Sequence, residues 1–275
     1  MPAPSPLTYA GLGGPQPLLL YRAQDAQAPV VLVVPAMGLR AEYYRALAEG
    51  LVERGLQVAL LDHPGHGQSP LRARRGVDWG YHALLGHLSA ARAAVSQALP
   101  GAPLYWLGHS IGGQVALMAA GQEPVAGVIL VASGAPYWRA WPGRARWRVR
   151  LGTWACARIA GLLGYFPGER VGFGGLEAAT LVQQWAQVAT TGRYVFPDLD
   201  GDAWLGRVQA PVVAVAVEGD DLAPEAAIRH TLQKLGPTTV REVRWPGPHG
   251  DNCHNRWPRN PGFVAALVAE VCRGG

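Results

Sequence analysis

The chain has 275 residues, 49% of them hydrophobic and 16% charged, with a formal net charge of +5. That length buries a large core and suits one α/β domain carrying an insertion, and the composition excludes a disordered or fibrous protein. Lys234 is the only lysine, so the positive balance rests on arginines, which are scattered apart from Arg72, Arg74 and Arg75 and the 139–150 stretch. No nucleic-acid-binding motif accompanies them, and no nucleic-acid partner is expected. They read as a solvated surface, with a preference for anionic substrates or a weak membrane-surface contact as the alternatives.

In chain order, residues 18–22 suggest an antiparallel strand near a sheet edge. Residues 29–35 are a continuous β-branched run, the pattern of a strand buried on both faces of a parallel sheet. Residues 41–55 place Tyr44, Leu47, Ala48 and Leu51 at helical spacing. A strand at 58–62, a long helix at 79–98, a strand at 104–107, a helix at 114–120 and a strand at 128–131 follow. Strands at 212–217 and 240–245 and a closing helix at 263–272 complete the alternation. That pattern predicts an α/β fold with a mostly parallel central sheet flanked by helices. Between Ser133 and Trp204 the alternation stops. This stretch is rich in Trp, Arg and Gly, with helix-like pieces at 148–163 and 176–187. It is read as a helical cap insertion, residues 137–204, over the carboxyl edge of a core formed by 1–136 and 205–275. Two ordinary sheet helices with long loops are the alternative.

The N-terminus, Met-Pro-Ala-Pro-Ser-Pro, lacks a positive n-region and a long apolar h-region, and the apolar run at 18–20 is too short to export or span anything. Cys156, Cys253 and Cys272 are odd in number and widely spaced, which favours a reducing compartment over a disulfide framework. The expectation is a cytoplasmic protein without an integral membrane segment. Its oligomeric state is left open.

Gly108, Ser110 and Gly112 form a G-x-S-x-G motif between the 104–107 strand and the 114–120 helix. A serine there sits at the apex of a sharp strand–helix turn with its Oγ exposed, and the Ile111 N–H faces the same space as an oxyanion donor. The motif alone is weak; its placement between strand and helix makes it specific. The alternative is a tight turn in some other α/β protein. The loop at 35–38, Pro-Ala-Met-Gly, offers the Met37 N–H as a second donor. Asp62, Gly65, Gly67 and Ser69 form a D-x-x-G-x-G-x-S loop, read as structural; a metal held by Asp62, His63 and His66 is the other reading. After the 212–217 strand, Asp220 is preferred over Asp221 as the carboxylate that orients a histidine, because it lies four residues before Pro224. Capping of the helix that begins near Pro224 is the alternative role for both. His249 and His254 both remain candidates for the general base. A zinc cluster of His249, Asp251, Cys253 and His254 is the rival. No cofactor and no metal are expected.

These segments resemble the α/β-hydrolase superfamily, within it bacterial hydrolases of the serine aminopeptidase and monoacylglycerol lipase type. The resemblance runs from about Val30 onward. It rests on the Pro-Ala-x-Gly turn at 35–38, the Gly-His-Ser-x-Gly-Gly elbow at 108–113, the Tyr-Trp-x-x-Trp segment of Tyr137, Trp138 and Trp141, and the late segment containing His254, Trp257 and Arg259. The order serine, acid, histidine along the chain agrees. The late segment moves the base to His254, although Cys253 stands where the pattern has Gly. The resemblance implies the α/β-hydrolase fold and a serine hydrolase in which Ser110 attacks an acyl carbonyl, His254 takes its proton, Asp220 orients the imidazole, and Met37 and Ile111 hold the oxyanion. An aromatic acyl pocket is expected from Tyr137, Trp138 and Trp141, joined by Trp147, Trp154, Tyr165, Phe166 and Trp185. It favours a small or lipid-like carboxylic ester. An amide, lactone, thioester or carbon–carbon bond is the alternative; a peptide amine would need an anchor such as Glu169 or Glu177. The rival from another class is a non-catalytic ligand-binding protein on the same fold.

Overall fold

The computed structural model describes residues 4–248 and 253–274. Strands β1 (Ser5–Gly11), β2 (Gly14–Tyr21), β3 (Val30–Val34), β4 (Gln57–Leu61), β5 (Leu104–His109), β6 (Gly127–Val131), β7 (Val212–Val217) and β8 (Val240–Trp245) form one eight-stranded sheet. Their spatial order is β1-β2-β4-β3-β5-β6-β7-β8. From β4 to β8 every pairing is parallel; β2 runs antiparallel to both β1 and β4.

The β-branched run of β3 shows why the sheet is buried on both sides. Val30, Leu32 and Val34 enter one core and Val31 and Val33 the other, as the two-residue period of a strand requires. Helices α1 (Arg45–Val52) and α6 (Gly262–Arg273) cover the second core through Leu47, Leu51, Val264 and Val268. Helices α2 (Tyr81–Ala98) and α3 (Ile111–Ala120) cover the first through Leu84, Leu88, Val115 and Leu117. The sequence reading missed β1, whose Ser-Pro-Leu-Thr-Tyr-Ala-Gly carries a proline and no clean alternation. It is the edge strand, where a proline is tolerated.

The chain between β6 and β7 holds two long helices, α4 (Ala145–Leu163) and α5 (Ala179–Thr191), and an antiparallel pair, Tyr165–Pro167 with Leu176–Ala178. Ala160, Phe166, Ala179 and Val182 form a small core of their own. Further on, Tyr194, Phe196, Leu199 and Leu205 join the main core. Polar anchors tie this insertion down. The Tyr81 N–H donates to Gln184 Oε1 at 2.8 Å, and Asp78 accepts from the Thr180 N–H at 2.9 Å and its hydroxyl at 2.6 Å. One anchor is ionic: His66 Nε2 lies 3.0 Å from Glu177 Oε2, with side chains only 8% and 2% exposed. Glu177 also accepts the Gly175 N–H at 2.9 Å.

Burial opposes both charges of this pair, yet each partner outweighs it. Glu177 holds the His66 pKa above its ordinary value, and His66 holds that of Glu177 below. A raised histidine pKa stabilises the fold fully below its ordinary value of about 6.5 and ceases to as pH rises through the folded value. A lowered carboxyl pKa stabilises above about 4.3 and ceases to as pH falls through its folded value. The contribution is therefore complete between about pH 4.3 and 6.5. Glu177→Gln is expected to cost about 3–5 kcal/mol in that window and less at higher pH, measured by denaturant unfolding of both proteins across pH. A deficit that is flat with pH would contradict the ion pair.

Candidate active site

Ser110 sits between β5 and α3 with φ 54° and ψ −123°, one of two non-glycine residues with positive φ among the described residues. Such a conformation costs of the order of 1–3 kcal/mol and persists only where its surroundings enforce it. Here they do. A Cβ on Gly112 would lie 2.2 Å from the Val34 carbonyl oxygen, and one on Gly108 would lie 2.2 Å from the Gly113 Cα. The Ser110 N–H donates to the Val131 carbonyl at 3.3 Å, and its own carbonyl accepts the Ser133 hydroxyl at 2.6 Å. Ile111 opens α3, where the first N–H groups have no acceptor within the helix.

Asp220 follows β7. Its Oδ1 accepts the N–H groups of Leu222 and Ala223 at 2.8 and 3.0 Å, and its Oδ2 lies 2.7 Å from His254 Nδ1. A carboxylate only accepts, so Nδ1 carries the proton and Nε2 of a neutral ring keeps its lone pair. Asp220 and His254 are each 5% exposed. Asp221 is exposed, and its carbonyl accepts the Trp141 indole N–H at 2.8 Å. Geometry thus separates the two acids: one meets the histidine, the other fastens the insertion. His249 and Asp251 lie outside the described residues.

His254 lies in a one-turn helix, Cys253–Arg256. Cys253 opens this helix and is buried. Its thiol pKa is raised by burial and by the charge of Asp220. The aromatic and arginine of the late segment act as clamps. Trp257 packs edge-on against Tyr44 and His109, and the Arg259 guanidinium lies over Tyr43 at 4.8 Å. The Tyr43 hydroxyl donates to the Asn255 carbonyl at 2.8 Å.

Sequence reasoning missed Tyr44 and His109 as parts of this site. The Tyr44 hydroxyl accepts the Ala36 N–H at 3.0 Å and donates to His109 Nδ1 across 2.7 Å. His109 is fully buried, burial pushes its pKa well down, and its ring lies 5.1 Å from that of His254. Helical spacing marked Tyr44 as a core residue; nothing local marks a partner so far along the chain.

Ser110 and His254 line one cavity of about 750 Å³. Ala36, Met37, Ile111 and Gln114 line it from the core; Trp141, Val149, Val171, Phe173 and Trp185 line it from the insertion. Met37 precedes Gly38, whose φ of 77° permits the turn. A Cβ on Gly38 would meet the Gly174 backbone at 2.5 Å, so this loop and the insertion touch backbone to backbone. Tyr137 and Trp138 are not in the cavity wall: Tyr137 stacks on His230 at 4.7 Å and Trp138 on Trp147 at 5.0 Å. Trp147 and Trp154 are exposed, Phe166 is buried inside the insertion, and Tyr165 and Glu169 line a second cavity of about 330 Å³. Glu177 is engaged by His66 and also lies outside the first cavity. Asp62, His63 and His66 serve separate structural bonds. Asp62 accepts the Ala41 and Gln68 N–H groups at 2.7 and 3.0 Å. His63 donates to the Pro35 carbonyl at 2.8 Å, and burial lowers its pKa to about 4.

The sheet order, the serine at a positive-φ strand–helix turn and the helices on both faces define an α/β-hydrolase fold. Residues 25–171 match the family described as serine aminopeptidase, S33, and the chain belongs to that family. It is 32% identical over 126 residues to a pimeloyl-[acyl-carrier protein] methyl ester esterase of Methylococcus capsulatus, covering 45% of this chain and 44% of that protein. It is 32% identical over 104 residues to monoglyceride lipase of Homo sapiens, covering 37% and 34%. The matched region therefore spans less than half the length of these curated relatives. In structure, a carboxyl esterase from Bacillus coagulans aligns with a TM-score of 0.68 at 16% identity, covering 99% of this chain and 100% of that one. Monoglyceride lipase from Saccharomyces cerevisiae aligns with a TM-score of 0.68 at 14% identity, covering 97% and 95%.

Tyr44→Phe is expected to leave the Ala36 N–H and His109 Nδ1 buried without their shared partner. The cost is about 1–3 kcal/mol for a buried unsatisfied polar group, read by denaturant unfolding. An unchanged stability would remove Tyr44 as the link between the 35–38 loop and the elbow.

Proposed function

We propose that this protein is a serine hydrolase that cleaves a carboxylic ester with a small or lipid-like acyl part through an acyl-enzyme. The observation that carries this reading is the meeting, in one cavity, of Ser110 at its positive-φ turn with a His254 whose Nδ1 lies 2.7 Å from Asp220. Ser110 is the nucleophile. His254 Nε2 takes its proton and returns it to the leaving alkoxide. Asp220 holds the imidazole in the required tautomer and stabilises the imidazolium. The N–H groups of Met37 and Ile111 stabilise the tetrahedral oxyanion, and water then repeats the sequence to release the acid.

The insertion, residues 137–204, serves as a cap over a core of 1–136 and 205–275. Its Trp141, Val149, Phe173 and Trp185 make one wall of the acyl cavity. That volume and apolar lining suit a medium-sized acyl group. The names of the relatives, an esterase of a pimeloyl-carrier methyl ester and a monoglyceride lipase, both denote ester cleavage and support an ester as the bond broken. No helix among the described residues is long and apolar enough to cross a membrane. The three free cysteines support a cytoplasmic setting.

A panel of aryl esters of increasing acyl length tests the activity. Ser110→Ala is expected to lower turnover by roughly 10⁴-fold or more with little change in unfolding midpoint. Near-normal hydrolysis by that variant would end the assignment.

The choice of base and acid has its own test. His254→Ala should be as damaging as Ser110→Ala, and Asp220→Asn should cost roughly 10⁴-fold in kcat, whereas His249→Ala and Asp221→Asn should be milder. Assayed side by side, the reverse ranking would transfer the roles to His249 and Asp221.

A further inference from the structure

Helix α4 is apolar on two opposite faces. At 100° per residue, Ala145, Arg148, Val149, Gly152, Thr153 and Cys156 fall on one side, and all six line the cavity. Trp147, Leu151, Trp154, Arg158 and Leu162 fall on the other. Trp147, Leu151, Trp154 and Leu162 are 46%, 63%, 61% and 73% exposed. Ten large hydrophobic side chains are exposed among the described residues, and six of them lie on this one helix: these four on the outer side, and Ile159 and Leu163 near its C-terminal end on the other. Scattered exposed apolar residues need no explanation; a continuous stripe along one helix marks a surface that meets something apolar.

The charge around the stripe identifies what it meets. Residues 136–168 contain six arginines (Arg139, Arg144, Arg146, Arg148, Arg150 and Arg158) and no carboxylate. The net charge of the whole chain is +5, so the remainder is close to neutral. None of the six has a carboxylate partner among the described residues. Arg150 lies over the Trp138 and Trp147 rings at 4.9 and 5.7 Å, Arg146 over Trp147 at 6.0 Å, and Arg139 over Trp138 at 5.2 Å. Guanidinium groups held beside the exposed Trp147 indole and the half-buried Trp138 indole present positive charge and apolar surface at the same depth. Indoles settle at the headgroup level of a bilayer, and basic side chains beside them meet lipid phosphate.

We propose that the outer face of α4 docks this protein on anionic phospholipid bilayers. Trp147, Leu151, Trp154 and Leu162 enter the boundary between headgroups and acyl chains, and Arg139, Arg146, Arg150 and Arg158 face the phosphates. The inner face of the same helix is a wall of the acyl cavity, so docking sets the cavity next to the bilayer surface. That use rests on the ester-hydrolase reading; the docking itself does not require turnover.

Co-sedimentation of the full chain carrying Ser110→Ala, which cannot degrade lipid by the proposed route, tests the docking separately from the chemistry. The vesicles are phosphatidylcholine alone and phosphatidylcholine with about 30 mol % phosphatidylglycerol. Binding is expected to the anionic vesicles, to be weaker by about tenfold or more on the neutral ones, and to be largely lost in about 1 M salt, where the Debye length is ~3 Å. Trp147→Ser with Leu151→Ser and Trp154→Ser is expected to lower binding by about tenfold or more. With Ser110 restored, that triple variant should hydrolyse a water-soluble ester at the parent rate. Arg146→Glu with Arg158→Glu, which leaves the apolar stripe intact, supplies a second variant and should lose the preference for anionic lipid. Absence of binding to anionic vesicles by the parent overturns the proposal. So does equal binding by the triple variant. Sedimentation-velocity dimers that dissociate in the triple variant, without vesicle binding, would assign the stripe to a second copy of the chain instead.

Discussion

Two glycines without Cβ atoms set the geometry on which the site depends. The backbone of Gly112 passes so close to the end of β3 that an added Cβ would lie 2.2 Å from the Val34 oxygen, and Gly108 crosses Gly113 at the same spacing. Strand, turn and helix can then be superposed within one chain diameter, and Ser110 is driven to φ 54° at the crossing. The strain has a geometric product. It lifts a hydroxyl clear of the sheet edge at the same point where the Ile111 N–H opens α3. Because Gly112 rests on Val34 and Pro35, the elbow also fixes where the 35–38 loop begins.

The rest of the site is hung from that crossing by buried polar bonds rather than by loop stiffness. Tyr44 joins the Ala36 N–H to His109, the residue just before the serine. Trp257 packs on both rings and carries the His254 segment with it. Asp220 is held by two N–H groups of its own loop before it meets the histidine. The elbow, His254 and Asp220 are therefore each held by buried neighbours, and burial makes these bonds costly to break.

The α/β sheet was legible because its signals are local. The run at 29–35, the alternation of strands and helices and the glycine spacing around Ser110 each arise within a few residues. The spacing to Pro224 favoured Asp220 over Asp221, and Asp220 is the acid whose Oδ2 lies 2.7 Å from His254 Nδ1. What failed to show in the sequence depended on tertiary partners. Aromatic content in the 137–204 stretch indicated a pocket, but not which rings face it. Trp141 and Trp185 line the cavity, while Trp138 and Trp147 stack on each other outside it. Helical periodicity reports that a helix has two faces; it does not report which face meets the core when both are apolar, as in α4. The pair of His66 and Glu177 is separated by 111 positions, and neither residue has a neighbour that announces the other. β1 escaped because an edge strand need not alternate cleanly.

The contact of Gly38 with Gly174 and Gly175, together with the His66–Glu177 pair, has a bearing on how such proteins diversify. The insertion between β6 and β7 enters and leaves the sheet at two neighbouring strands, so its connections alone would allow it to be replaced as a unit. Here that exchange is not free. A transplanted insertion would have to present small residues where it touches Gly38, or it would displace the very loop that carries the Met37 N–H. It would also need an acid opposite His66, or leave that buried imidazole without its hydrogen-bonded carboxylate. The roof and the floor of this cavity are thus bound to change together, and its shape can drift more readily through single side chains such as Val149, Phe173 or Trp185 than through wholesale replacement of the segment that bears them.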